Sequence, residues 1–163
     1  MLKHSKEHGD YVVSRSQQTI MFSARGPWND ETMRRGAKEM GKNISQLDLS
    51  KPWGTLSCLY GESLMPPSTY KSFAKHTLIR KSMGLKALAI VILDSDIAYT
   101  IESQLTPAYL AADVEFAFLP DIHSAITWLS GIGLSLDKQQ VEQFFQLHSF
   151  IRPHDDDSRA YFN

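Results

Sequence analysis

The sequence predicts an α/β fold: a mixed, mostly parallel sheet of about five strands with crossover helices, plus an extra C-terminal helix. Strand-like runs alternate with helix-like periodic segments, which is typical of crossover units. Residues 87–93 are apolar at every position, as expected of a central strand whose sheet is covered on both faces. Two short β-rich runs, residues 11–13 and 19–24, flank the polar residues 14–18 and predict an antiparallel hairpin at one edge.

Length and composition fit one globular domain. The chain has 163 residues, 42% of them apolar and 21% charged, so it can bury a core without a disulfide or a structural metal. We expect a loose arm over residues 1–10, a single domain over residues 11–150, and a solvated tail over residues 151–163. The longest apolar run is far shorter than the roughly 20 residues of a membrane span. The single cysteine, Cys58, fits a reducing compartment, and we expect a cytoplasmic location.

The elements before the central strand follow from caps and apolar stripes. Asn29 is a suitable N-cap for a helix of about 17 residues, whose core-facing stripe recurs at steps of four and three. That stripe comprises Met33, Ala37, Met40, Ile44 and Leu47. A strand is predicted over residues 55–60. Pro66 and Pro67 predict irregular backbone, and Ser68 is expected to cap the next helix. The expected core face of that helix comprises Tyr70, Phe73, Ala74, Thr77 and Leu78.

The elements after the central strand are shorter. Thr106 and Pro107 are expected to open a short helix, with proline at its first position. A strand is predicted over residues 114–119, and Asp121 is expected to cap the helix that follows it. A last helix is predicted over residues 137–150. Its apolar side should pack on its own sheet or on that of a partner subunit, and it comprises Val141, Phe144, Phe145 and His148.

Side-chain alternation predicts which residues share a face of the sheet. Ile20, Phe22 and Ala24 should point to one face, and Thr19, Met21 and Ser23 to the other. The same alternation separates Leu56, Cys58 and Tyr60 from Thr55, Ser57 and Leu59, and Val114, Phe116 and Phe118 from Glu115 and Ala117. We expect one strongly apolar face and one face of small, mixed side chains, with the C-terminal helix covering the second.

Two short motifs carry a family resemblance. The sequence Gly26-Pro27-Trp28-Asn29 ends the second strand, and residues 114–118 are followed by Asp121, Ala125, Trp128 and Leu129. Together with the strand–helix order over residues 9–132, this resembles the SpoIIAA-like, or STAS-like, family of small bacterial proteins. The resemblance implies the anti-sigma-factor antagonist fold, a β-α superhelix with a mixed sheet. The last helix lies outside the resemblance.

The resemblance bears on a phosphorylation switch. Anti-sigma-factor antagonists carry an Asp-Ser-Ser/Thr-Gly motif where a strand meets a helix, and the serine is phosphorylated. The corresponding residues here, 61–68, lack the motif, and Ser63 and Ser68 are the nearest hydroxyls. We therefore expect neither serine to act as a phosphorylation switch.

Position in the fold supplies the site candidates, because ligands of parallel α/β sheets bind beyond the carboxyl ends of the strands. Trp28, in a loop, is expected to close the core. The side chains expected at those ends are Arg25, Trp28, Glu62, Ser63, Asp94, Ser95, Asp96 and Asp121.

The function expected from these observations is that of a non-enzymatic binding or interaction module. Its partner would be another protein, a second copy of the chain, or a small or lipid-like ligand, since lipid-binding domains are similar in fold. The balanced charge, 17 basic against 18 acidic residues, argues against nucleic acid and against an electrostatic membrane binder. No catalytic residue, cofactor or metal is expected. The alternative is a small hydrolase that uses carboxylates at the strand ends.

Overall fold

A computed structural model describes residues 9–153, and a five-stranded sheet forms its centre. The strands lie in chain order, with β1 antiparallel to β2 and every other neighbouring pair parallel, so the predicted mixed sheet is confirmed. They are β1 (Asp10–Ser16), β2 (Thr19–Arg25), β3 (Trp53–Tyr60), β4 (Leu85–Leu93) and β5 (Glu115–Leu119). The hairpin turn is tighter than predicted: β1 runs to Ser16, and Gln17 adopts a φ of 54°.

Five helices cover the two faces of the sheet. They are α1 (Asp30–Ile44), α2 (Pro67–Ser82), α3 (Ala98–Ala112), α4 (Ile122–Gly131) and α5 (Lys138–Leu147). The three crossover helices, α1 to α3, pack on one face, which we call the first face. Helices α4 and α5 follow the last strand and pack on the opposite, second face. This division follows from the strand order, because successive right-handed crossovers place their helices on the same side.

The N-termini of α1 and α4 lie where short polar side chains predict them. The Asn29 side chain accepts a hydrogen bond from the backbone N–H of Thr32 at 2.8 Å, and Asp121 accepts one from Ser124 at 2.7 Å. Each cap satisfies an amide that has no partner within its own helix.

Helix α2 departs from its prediction at its start and on one face. It begins at Pro67, because proline lacks only an N–H that the first helical turn does not use. Ser68 is therefore inside the helix rather than its cap, and its hydroxyl bonds to the carboxylate of Asp30. Leu78 is half exposed and does not belong to the core face.

Helix α3 is longer than predicted. It begins at Ala98, and Pro107 lies inside it instead of at its first position. An internal proline costs a helix about 3 kcal/mol. Ile101 and Leu105 before the proline and Ala108 and Tyr109 after it are buried, and this packing offsets the cost.

Both faces of the sheet are apolar, contrary to the expected contrast between them. Ile20 of β2 is in register with Thr55 of β3, and Phe22 with Ser57. Because side chains in register share a face, the apolar side of β2 lies beside the hydroxyl side of β3. The apolar sets of the two strands consequently face opposite layers, and each layer has its own buried core.

The C-terminal helix packs on its own sheet. Val141, Phe144 and Phe145 are buried against the second face. The helix ends at Leu147 rather than at residue 150, and His148 is its C-cap.

Most of the predicted arm and tail, residues 1–8 and 154–163, lies outside the described residues. Asp10, assigned to the arm, is already part of β1. Within residues 9–153, no helix has the length and apolar character needed to cross a membrane.

Candidate functional site

The strand ends hold a buried ion pair. Arg25, at the end of β2, donates from Nη1 to Oδ2 of Asp94 at 2.7 Å and to the carbonyl of Phe150 at 2.8 Å. The backbone N–H of Arg152 donates to the same Asp94 oxygen at 3.1 Å. Gly61 leaves room for the guanidinium, since a Cβ there would lie 2.6 Å from Nη2 of Arg25. Arg25 and Asp94 therefore fasten the segment after α5 to the sheet.

The other carboxylates predicted at this edge have separate surroundings. Asp121 caps α4, and the hydrogen bonds from Ser124 hold the pKa of its carboxyl below the ordinary value. Glu62 and Asp96 are exposed. Ser95 accepts a hydrogen bond from the N–H of Ile97 at 3.2 Å. No hydrogen bond or ion pair joins any two of these four side chains, so the described structure supplies no acid–base pair here.

Ser63 is buried, and its hydroxyl both donates and accepts a hydrogen bond. Its hydroxyl donates to the carbonyl of Tyr60 at 2.8 Å and accepts from the N–H of Gly26 at 3.2 Å. Ser68 bonds to Asp30, as does Thr69 at 2.7 Å, and these bonds lower the pKa of the Asp30 carboxyl. The loop at Ser63 is thus a structural junction between β2 and β3, and both serines already have partners.

A cavity of about 110 Å³ lies between the first face of the sheet and the crossover helices. Two predicted site residues, Trp28 and Ser63, line it. Trp28 is 9% exposed and packs near Phe22, with ring centroids 6.3 Å apart, as expected of a side chain that closes the core. Most of the lining is apolar, and its aliphatic members are Met33, Ala37, Met40, Leu59, Met65, Leu85, Leu88 and Leu105.

The cavity contains a hydroxyl without a partner. Thr55, on β3, is 3% exposed, and its Oγ1 has no hydrogen-bond partner among the described residues. Thr77, which also lines the cavity, differs because its hydroxyl donates to the carbonyl of Phe73 at 2.9 Å. A buried hydroxyl without a partner costs about 1–3 kcal/mol. Thr55 is therefore a polar group that a bound molecule would satisfy.

One cation reaches the cavity. Arg80, near the end of α2, makes no ion pair within residues 9–153. Burial lowers its pKa to about 10, and the neighbouring Tyr109 opposes the change, so the guanidinium is charged at neutral pH. Tyr109 is buried, and its phenol pKa is raised by desolvation. Arg80 remains partly exposed, so its charge is only partly desolvated, and no described residue supplies a counterion to it.

Sequence reasoning missed Thr55, Arg80 and Tyr109. The alternation of β3 separates Thr55 and Ser57 from their apolar neighbours, but only the register with β2 shows that these hydroxyls share a face with Ile20. Arg80 is not part of the core face expected for α2. Its spacing of three residues from Thr77 was the available signal that it lies on the inner side.

Cys58 lies in the core of the second layer, beside Leu56 and Tyr60, with which the alternation of β3 groups it. It is fully buried, and burial raises the pKa of the thiol to about 11. Tyr60, two residues along the same strand, has a pKa raised to about 12 by burial. At neutral pH both groups are protonated, so Cys58 is a poor nucleophile. Across the described part of the chain, no three His, Cys, Asp or Glu side chains come together as metal ligands.

The raised thiol pKa predicts a loss of stability at alkaline pH. In the unfolded chain the thiol loses its proton near pH 9.0, whereas the folded protein holds it to about pH 11. The stabilisation that depends on the protonated thiol is fully present below pH 9.0 and is lost as the pH rises through about 11. Urea unfolding at about pH 8 and about pH 10.5 should therefore show a lower free energy at the higher pH. Cys58→Ala should reduce that difference, and an unchanged difference would contradict the assignment.

Comparison with known proteins supports the fold. No family model matches the chain, and no curated protein matches it. A solved structure that does match is that of an uncharacterized protein of the DUF3478 family from Shewanella loihica PV-4, described as having a SpoIIAA-like fold. The two chains are 17% identical with a TM-score of 0.55, and the match covers 79% of this chain and 99% of that one. The SpoIIAA-like fold predicted from the sequence is thus confirmed.

Proposed function

We propose that the protein is a non-enzymatic binding module that holds a small apolar molecule in the cavity between the sheet and α1, α2 and α3. The observation that carries the proposal is the Thr55 hydroxyl, buried without a partner in an otherwise mainly apolar cavity. Natural cores are close-packed, and they satisfy their buried polar groups. This cavity is not filled by side chains, and it contains a buried hydroxyl that has no partner. A ligand explains the two features together better than packing alone does.

The size of the cavity limits the ligand. An apolar cavity of about 150 Å³ in another protein accepts benzene. A volume of about 110 Å³ therefore suits a molecule with about four to six carbon atoms, or a longer one if the lining side chains move. So small a ligand binds weakly, with a dissociation constant on the order of millimolar.

The strand ends favour binding over hydrolysis. The carboxylate that lies closest to a basic group, Asp94, is held in an ion pair with Arg25. Hydrolysis would need titratable groups that converge on one reacting atom. The lone buried thiol is consistent with a cytoplasmic protein, and we retain that location as part of the proposal.

Filling the cavity should abolish binding. Gly36 lines the cavity, and a Cβ there would meet no atom within 4 Å. Gly36→Leu should therefore occupy the space that hexan-1-ol would take. A nuclear magnetic resonance titration of the wild-type protein with this alcohol should shift the signals of lining residues such as Thr55 and Leu105. The variant should show at least about tenfold weaker binding.

Gly41→Leu is the matched control. Gly41 lies on the same helix with equally open space at its Cβ, but it does not line the cavity. Both substitutions remove a helical glycine and should stabilise α1 by up to about 1 kcal/mol. Only Gly36→Leu should show weaker binding of hexan-1-ol. Equal binding by both variants, or no saturable shift of the wild-type lining residues, would count against the cavity as the binding site.

A further inference from the structure

The lining of the cavity is mainly apolar, with several hydroxyl groups and one charged side chain. Of the described residues that line it, Arg80 alone carries a charge. Its neighbour Tyr109 is 5% exposed, and the Tyr109 ring lies 5.3 Å from that of Phe116 on β5. Arg80 and Tyr109 therefore belong to one side of the space, where α2 and α3 pack over the sheet.

Strand register relates that side to the unpartnered hydroxyl. Phe116 is in register with Leu88, and Leu88 with Thr55, so the three residues form one row across the first face. Tyr109 packs over the β5 end of this row, and Thr55 stands at its β3 end. A guanidinium, a phenol and an unsatisfied hydroxyl thus border the same apolar cavity.

We propose that the natural ligand is a small carboxylic acid, with its carboxylate on Arg80 and its apolar body among the aliphatic side chains of the cavity. The inference rests on the proposed function and adds the chemical class of the ligand. A planar guanidinium donates two parallel hydrogen bonds to a carboxylate, and such charged pairs are about twice as strong as neutral ones. The ligand also supplies the counterion that Arg80 lacks within the described residues.

The charge of the lining selects a carboxylate over a phosphate monoester. A phosphate monoester carries a charge of about −1.5 to −2 at neutral pH. One guanidinium would leave part of that charge buried and uncompensated, whereas a carboxylate is matched one to one. The phenol and hydroxyl groups of Tyr109 and Thr55 provide further hydrogen-bonding capacity near the cavity.

The test compares an acid with an alcohol of the same chain length. Hexanoate and hexan-1-ol are titrated separately into the full-length protein at neutral pH, where the acid is ionised, and butanoate and decanoate extend the series. Wild-type protein should bind hexanoate at least about tenfold more tightly than the alcohol. Decanoate should bind no better than hexanoate, because its chain exceeds the cavity.

Variants of Arg80 assign the preference to the guanidinium. Arg80→Met keeps an unbranched stem of similar length to the aliphatic part of arginine, removes the charged guanidinium, and should abolish the preference for the acid while the alcohol still binds. Arg80→Lys keeps the charge without the planar fork and should retain part of the preference. Lys75→Met, which removes an exposed cation of the same helix outside the cavity, should behave as the wild type.

The possible results separate the inference from the proposed function. Equal binding of acid and alcohol by the wild-type protein would overturn the inference and leave the cavity as a binding site. A preference for the acid that survives in Arg80→Met would also overturn it, because the carboxylate would then lie elsewhere. Binding of neither probe by the wild-type protein would overturn both. If Arg80→Met does not fold, the relative affinities of the wild-type protein for hexanoate and hexan-1-ol still test the inference.

Discussion

Replacement of Phe145 by alanine should lower the free energy of unfolding by about 3–5 kcal/mol. Phe145 is 4% exposed, lies in the core of the second layer, and its ring is 5.0 Å from that of Phe144 in an edge-to-face arrangement. Truncation to alanine removes the buried apolar area of the ring and leaves a cavity between α5 and the sheet. The other buried side chains that hold α5 to the sheet are Val141 and Phe144. Urea unfolding followed by circular dichroism measures the loss.

Leu147→Ala is the control for this variant. Leu147 lies on the same helix but is 79% exposed, so its replacement should change the free energy by less than about 0.5 kcal/mol. Ending the chain after Gly133 removes Leu134 and the whole of α5, including the buried side chains of Val141, Phe144 and Phe145. We expect that truncated chain to be largely unfolded, because the lost burial approaches the total stability of about 5–15 kcal/mol for a domain. A folded truncated chain would refute the structural role of α5.

Replacement of Asp94 by asparagine should cost about 3 kcal/mol. Arg25 and Asp94 have side chains only 9% and 18% exposed, so removing the negative charge leaves the guanidinium buried without its counterion. Asp94 has a φ of 50°, a left-handed conformation that asparagine also accepts. The substitution therefore changes the charge and leaves the backbone conformation as it is. Chemical denaturation at neutral pH measures the effect.

Asp96→Asn provides the comparison. Asp96 is exposed, stands two residues further along, and should tolerate the change within about 0.5 kcal/mol. Arg25→Met leaves the Asp94 carboxylate without its counterion, but it should cost less than Asp94→Asn, because the Asp94 side chain is 18% exposed and that of Arg25 only 9%. If Asp94→Asn and Asp96→Asn were equally stable, the ion pair would contribute nothing to the fold.

The sequence predicted the secondary structure best where local chemistry decides it. Asn29 and Asp121 cap helices with their own side chains, so three or four adjacent residues carry the whole signal. Pro67 and Pro107 misled the prediction for the opposite reason. Whether a proline ends a helix, opens it or lies inside it depends on packing against distant strands, which local sequence does not contain.

The cavity could not be predicted from the local sequence for a similar reason. Thr55 belongs to β3, Arg80 to α2 and Tyr109 to α3, and only the tertiary fold brings them to one space. Of the residues predicted at the strand ends, Arg25 and Asp94 serve the attachment of the C-terminal segment. Position along a strand indicates where a side chain lies, whereas its partners decide what it does.

The two buried layers on opposite sides of the sheet have no residue in common. Substitutions in separate layers share few partners, so their effects on stability should be nearly additive. Changes around Thr55 that tune recognition can thus be compensated by better packing of α4 and α5, without the second change disturbing the first. A sheet covered on both sides in this way gives the protein room to evolve: one layer is free to adapt to a new ligand while the other maintains the fold.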